Sequence, residues 1–179
     1  EKLAENFGAK KETLCGLESV SFELEKFFVT AVKSGIGKVN AAFAASCLIL
    51  EKKAEIVLNA GLSGAISKVC RGDIVAGESF AECDFDLTAI GYELGKKPDG
   101  DLSVHYADKM LFEKLLSLGN IKSGNFGTGD IFLSDSVKKN LFKEKFKICA
   151  FDMETAAIAA VCDKLSVPFL SVRKISDDA

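Results

Sequence analysis

Apolar and polar positions along this chain switch regularly between a strand period and a helix period. Phe27 to Val32 is an apolar run of strand length, followed by Ser34-Gly35-Ile36-Gly37 and a helical pattern from Lys38 to Glu51. Glu55 to Asn59 reads as a short buried strand that enters a turn-rich segment, Ala60-Gly61-Leu62-Ser63-Gly64. Asp73 to Phe80 predicts a strand and Ala107 to Leu118 a helix; between them Tyr92 to Ser103, with Gly95, Pro98 and Gly100, reads as a loop. Then come a glycine-rich strand over Lys122 to Gly129, a helix from near Ser134-Asp135 and a strand over Lys147 to Phe151. A helix over Asp152 to Leu165, with Asp152 as its N-cap, and a strand over Pro168 to Ile175 complete the series. Strands and helices in alternation predict an α/β layer fold. No repeat, linker or low-complexity segment interrupts it, so residues 1–179 read as one domain.

A chain of 179 residues can bury a sizeable core. Its 48% apolar and 27% charged residues fit a soluble globular protein. The net charge is −3 and the basic residues are scattered, which argues against nucleic acid or a membrane surface as partner. Its apolar runs are too short to span a bilayer, and no signal-peptide pattern is read in it. Cys15, Cys47, Cys70, Cys83, Cys149 and Cys162 show no paired spacing, and several sit in apolar segments. They read as reduced thiols of a cytoplasmic protein. His105 is the single histidine, which excludes a multi-histidine metal site; its surroundings predict a surface loop, and no role is assigned to it.

Candidate chemistry lies where strands end. Ser34-Gly35-Ile36-Gly37-Lys38 joins a strand to a helix, where free backbone N–H groups can meet a ligand or simply make a tight turn. It is not a P-loop, because Val39 stands where a magnesium-holding hydroxyl would be needed. Asn59 to Gly64 and Gly127-Thr128-Gly129-Asp130-Ile131-Phe132-Leu133 occupy similar positions, and glycines there admit either a turn or close approach of a flat ligand. Glu82, Asp84 and Asp86 alternate along the chain and read as a solvated strand face. Glu154, opening a helix of small and apolar residues, and Asp177, just beyond the run Phe169-Leu170-Ser171-Val172, are carboxylates in costly surroundings. Both follow strands of consecutive units and should meet in one crevice.

These segments, in order, resemble the bacterial 5′-methylthioadenosine/S-adenosylhomocysteine nucleosidase family of the purine nucleoside phosphorylase superfamily. The resemblance rests on Ser34 to Ala42, Asn59 to Gly64, Asp84-Phe85-Asp86-Leu87-Thr88-Ala89-Ile90-Gly91-Tyr92, Gly129 to Leu133, and Met153-Glu154 with Ile175-Ser176-Asp177. It implies a three-layer fold with a mostly parallel or mixed central sheet flanked by helices. It further implies that Asp177 protonates adenine N7 with help from Ser176, and that Glu154 binds the ribose hydroxyls with Met153 against the sugar. Phe132 would stack on the base and the Leu133 backbone would read its edge. Ser63 and Gly64 would line the base and water side, and Ile36 the 5′ side. The implied reaction is hydrolysis of 5′-methylthioadenosine and S-adenosylhomocysteine to adenine and a thioribose product, as in methionine salvage. No metal and no organic cofactor is implied, and the implied assembly is a homodimer whose neighbour completes the 5′ pocket.

The sequence departs from the family pattern in two places. The segment carrying the family's water-activating glutamate is not found; this chain is expected to lack the first strand and the C-terminal helix, with that base outside residues 1–179. Cys83 stands where many relatives carry histidine, which bears on that side of the pocket or on a dimer contact. Three other readings stay open. A phosphorylase would need arginines for phosphate, yet only Arg71 and Arg173 are present and Asn59 replaces an arginine of the hexameric phosphorylases. Cleavage of aminofutalosine or futalosine, in menaquinone synthesis, would use nearly the same residues. A catalytically silent nucleoside-binding domain would keep Glu154 and Phe132 for affinity alone.

Overall fold

A computed structural model describes residues 2–98 and 103–178. A short helix, α1 (Lys2–Phe7), precedes an antiparallel meander of β1 (Lys10–Leu14), β2 (Leu17–Leu24) and β3 (Phe27–Val32). The first hairpin turns on Cys15 and Gly16, both at positive φ, which suits the right-handed twist of the flanking strands. Residues 10–24 carry only weak alternation, and neither strand is predicted from the pattern. β3 leads through Ser34–Gly37 into α2 (Lys38–Lys52), which ends at Lys53 in the left-handed conformation. The buried face of α2 is small: Ala41, Ala44, Ala45 and Cys47, with Ile49. α5 (Thr155–Lys164) answers with Ala156, Ala159 and Cys162, so the two helices pack closely.

The remaining strands form one sheet: β4 (Val57–Ala65), β5 (Ile74–Glu82), β6 (Val104–Tyr106), β7 (Lys122–Thr128), β8 (Ala150–Asp152) and β9 (Phe169–Asp177). Their order is β6-β5-β7-β8-β4-β9, and β9 returns to pair with β5 at Ile74–Ala76, so five strands close into a ring and β6 lies outside it. The β4–β9, β5–β7 and β7–β8 pairs are parallel, while β4–β8, β5–β9 and β5–β6 are antiparallel. The sheet is therefore mixed, in agreement with the expected α/β class; its closure was not foreseen.

Two apolar clusters cover it. Val75, Phe80, Phe126, Phe169 and Ile175 meet the alanine faces of α2 and α5, with Phe80 set edge-on to Phe169 at 5.1 Å. Ala81, Cys83, Leu133, Ile148 and Phe151 pack with Phe142 and Phe146 of α4 (Ser136–Phe146). Helix α3 (Lys109–Leu116) starts on an Asp108 cap that accepts from the Leu111 N–H at 2.9 Å.

Several expectations need correction. Ala60 to Gly64 is not a turn but the second half of β4, because a chain paired with β9 along that length stays extended. His105 is not in a loop: it lies in β6 opposite Phe80, with Nδ1 3.1 Å from Asp163 Oδ2. The strand expected from Lys147 begins only at Ala150, since Lys147 takes positive φ to close α4. The loop expected over Tyr92 to Ser103 is found as far as Pro98, and its residues 99–102, like Glu1, lie outside the described residues.

Gly77 marks where β5 slips register against β7. A Cβ there would stand 2.3 Å from Phe80 Cε1 and 2.7 Å from Phe126 Cε2. We expect Gly77→Ala to cost about 1–3 kcal/mol through overpacking. Urea unfolding should show the midpoint falling with the m-value unchanged.

Candidate active site

Parallel pairing of β4 with β9 brings their carboxyl ends together. Asn59 stands opposite Ser171, Gly61 opposite Arg173 and Ser63 opposite Ile175. The register then slips, so that Gly64 faces Asp177 and Ser176 is the extra residue of a bulge. The Ser176 hydroxyl lies 3.3 Å from the Ser63 carbonyl and bonds the Asp177 carboxylate. Ser63, Gly64, Ser176 and Asp177 therefore form one group, with Ser63 buried and Asp177 exposed.

Glu154 approaches from β8. It occupies the N-cap position of α5, but its side chain does not cap the helix. That task falls to Asp152, whose Oδ1 accepts from the Glu154 and Thr155 N–H groups at 3.0 and 2.9 Å and from Thr128 Oγ1 at 2.8 Å. With its cap duty taken over, the Glu154 carboxylate is free to reach outward: Oε1 accepts from the Gly37 N–H at 3.1 Å, and Oε2 lies 3.6 Å from Arg173 Nη2. Met153 is half-buried beside it.

Arg173 is the residue that sequence reasoning weighed only as a phosphate ligand. It is 3% exposed, and its Nε lies 3.2 Å from Asp152 Oδ2. Its Nη2 donates to Thr155 Oγ1 at 2.7 Å and its Nη1 to the Leu62 carbonyl at 3.2 Å, while Thr155 Oγ1 in turn donates to Asp152. Gly61 makes this possible, because a Cβ at that position would sit 2.0 Å from Nη1. The signal was available: an arginine in the buried phase of an apolar strand needs a carboxylate. Asn59 donates to Thr155 and Ser171 at 3.1 and 3.2 Å. Arg71 is exposed in the turn before β5, whereas Arg173 is committed to Asp152, Thr155 and the Leu62 carbonyl.

Ile36 is 74% exposed on the loop before α2, and Phe132 is 82% exposed on the loop after β7. The Leu133 side chain is buried in the α4 cluster, which leaves its backbone as the part able to meet a base. A cavity of about 530 Å³ runs from Ile36, Gly61, Glu154 and Arg173 into a groove between α2 and β4. Cys83 does not face this site: it is fully buried, and burial pushes its thiol up.

The alternating acids also differ from expectation. Lys38 Nζ lies 2.9 Å from Glu82 Oε1 and 2.7 Å from Asp84 Oδ1, so these two are a half-buried ion-pair group; of the three, only Asp86 is exposed. Burial would raise the Glu82 carboxyl, but Lys38, Ser103 and Lys97 together outweigh this and hold it below the usual range. Burial likewise lowers Lys38, yet its bonds to Asp84 and Glu82 leave its pKa raised.

Comparison with known proteins places this geometry. The family model described as the phosphorylase superfamily matches residues 5–179. The 5′-methylthioadenosine/S-adenosylhomocysteine nucleosidase of Shewanella halifaxensis is 37% identical, over 93% of this chain and 76% of its own length. The one from Geobacillus sp. (strain WCH70) is 37% identical, over 84% and 68%. Among solved structures, the Campylobacter jejuni nucleosidase of the same name superposes with a TM-score of 0.92 at 30% identity, covering 99% of this chain and 80% of that one. The futalosine hydrolase of Helicobacter pylori gives 0.91 at 26% identity, covering 97% and 80%.

Removing one partner of a buried pair strands the other. Arg173→Met should therefore destabilise the fold by about 3–5 kcal/mol, measured by chemical denaturation. The double variant Arg173→Met/Asp152→Asn should recover part of that loss.

Proposed function

The chain belongs to the phosphorylase superfamily, among its 5′-methylthioadenosine/S-adenosylhomocysteine nucleosidases, and we propose that it hydrolyses the N-glycosidic bond of those two nucleosides. The observation that carries this is the convergence of Asp177 and Ser176, at the end of β9, with Ser63 and Gly64 of β4, on the strand whose Arg173 holds Glu154. Breaking the bond between ribose and purine builds positive charge on the sugar and negative charge on the leaving base. Asp177, held by Ser176, donates a proton to adenine N7 and relieves the second charge. Glu154 takes the ribose hydroxyls and opposes the first. Its orientation is fixed from two sides, by the Gly37 N–H and by Arg173. Phe132 stacks on the base, Leu133 presents its backbone to the base edge, Met153 abuts the sugar and Ile36 borders the 5′ substituent. Water is the nucleophile in this reading, since the buried Arg173 is committed to Asp152 and Thr155 rather than to phosphate.

A second reading has one observation in its favour, the close structural match to a futalosine hydrolase. Adenine or base release should be measured from methylthioadenosine, S-adenosylhomocysteine and aminofutalosine, in phosphate-free buffer. The chain spans 76% of the Shewanella halifaxensis relative, so the assay covers both the 179 residues and the protein with its natural flanks. We expect the first two nucleosides to be cleaved best. Asp177→Asn should lower turnover by roughly 10²–10⁴ while leaving nucleoside binding, and Glu154→Gln should lose both. Near-parental turnover in either variant removes that residue from its role, and tight adenine binding without release by any form makes this a binding domain.

The protein works as a homodimer in the cytoplasm, in this reading. Free thiols suit a reducing compartment. The dimer is supported by a stripe on α2: Val39 is 80% exposed and Phe43 is 49% exposed, with Leu50 beyond them on the same face. The stripe begins at Ile36, so a second copy seated there would stand beside the 5′ side. Sedimentation equilibrium should return the dimer mass, and Phe43→Asp should shift it to monomer; a monomeric parent at micromolar concentration would overturn this assignment.

A further inference from the structure

We propose that Lys38 is a positioning residue that sets the width of the nucleoside site by locking two loops together. This rests on the nucleosidase reading and deepens it. Three residues form a closed ring. The Lys38 N–H donates to Asp130 Oδ1 at 2.7 Å; the Asp130 N–H donates to Asp84 Oδ2 at 2.8 Å; and Asp84 Oδ1 takes Lys38 Nζ at 2.7 Å. Lys38 thus contributes both ends, backbone and ammonium. The ring fastens the Gly35–Lys38 loop, which carries Ile36, to the Asp130–Leu133 loop, which carries Phe132.

Two glycines make room for it. A Cβ on Gly37 would stand 3.1 Å from Asp130 Oδ1, and one on Gly129 would stand 3.0 Å from Asp84 Cγ. Gly37 is also at positive φ and gives its N–H to Glu154, so the same short segment links the ring to the ribose carboxylate. Glu82 backs the ammonium from the other side at 2.9 Å and is itself held by Ser103 and Lys97, so it keeps partners if Lys38 is lost. The ion pairs are only half-buried, and such pairs contribute little net stability. What they fix is the distance between two loops whose exposed residues would otherwise move independently. A gap set this way governs how a base and its 5′ substituent fit between Phe132 and Ile36.

The test compares the full-length protein with Lys38→Met and Lys38→Arg, by hydrogen exchange at the Lys38-position and Asp130 amides, KM and kcat for methylthioadenosine, and calorimetric binding of adenine. In Lys38→Met both amides should exchange roughly 10-fold faster, as expected of a local opening, with the unfolding midpoint nearly unchanged. KM and the adenine dissociation constant should rise roughly 10-fold to 100-fold, with kcat much less affected, as expected when the site is misaligned but its chemical groups remain. Lys38→Arg should recover most of both. Unchanged exchange overturns the proposal, as does faster exchange with unaltered adenine binding. If the parent protein releases no adenine while exchange and adenine binding still respond to Lys38→Met, the nucleosidase reading fails and the locking role stands.

Discussion

The placing of Glu154 in this fold hangs on one buried ion pair, Arg173 with Asp152. At 3.2 Å and an effective dielectric constant of about 20, their attraction is about 5 kcal/mol. Withdrawing each charge from water costs several kcal/mol, so the pair adds little to stability. Its effect is geometric. Asp152 ends β8 and caps α5, Arg173 lies in β9 and bonds β4 through the Leu62 carbonyl, and Thr155 joins both. Four elements are thereby set at fixed distances, and Glu154 is presented from their junction. A site that depends on differential stabilisation of a charged transition state gains from such preorganisation, because no group must be reoriented during the reaction.

A division of labour between neighbouring carboxylates follows. Asp152 is spent entirely inside the protein, on backbone N–H groups, a hydroxyl and a guanidinium. Glu154, two residues on, faces the cavity with one oxygen on a backbone N–H and the other near a cation. Asp177 is exposed at the end of β9 with a serine beside it. These three environments differ in burial and in partners, so carboxylates can serve structure and, in the proposed reaction, binding and proton transfer.

The order of strands and helices was legible in the sequence because period and punctuation agree over β3, α2, β7, α4, α5 and β9. The placing of Glu154 at the start of α5 and of Ser176 and Asp177 at the end of β9 was legible too, since each follows an apolar run of strand length. The second half of β4 was not. Gly61 and Gly64 carry the same letters whether the chain turns or lets another group come close, and here Gly61 is small to admit the Arg173 guanidinium while the strand runs straight on. The ion pair of Lys38 with Glu82 and Asp84 was invisible for a related reason: alternating acids look solvated until a cation from another element is known to reach them. Closure of the sheet left no local mark either, because the β5–β9 pairing joins residues about a hundred positions apart.

That closure has a consequence for synthesis. β4 and β5 leave the ribosome long before β9, and at about 5–20 residues per second the wait is on the order of 5–20 s. Throughout that interval the edges that β9 covers stand unpaired, open to other chains or to chaperones. The strand that ends this exposure is the same one that brings Arg173, Ser176 and Asp177. No copy made short of β9 can therefore hold the candidate site, and the strand that completes it is the one that covers the open edges.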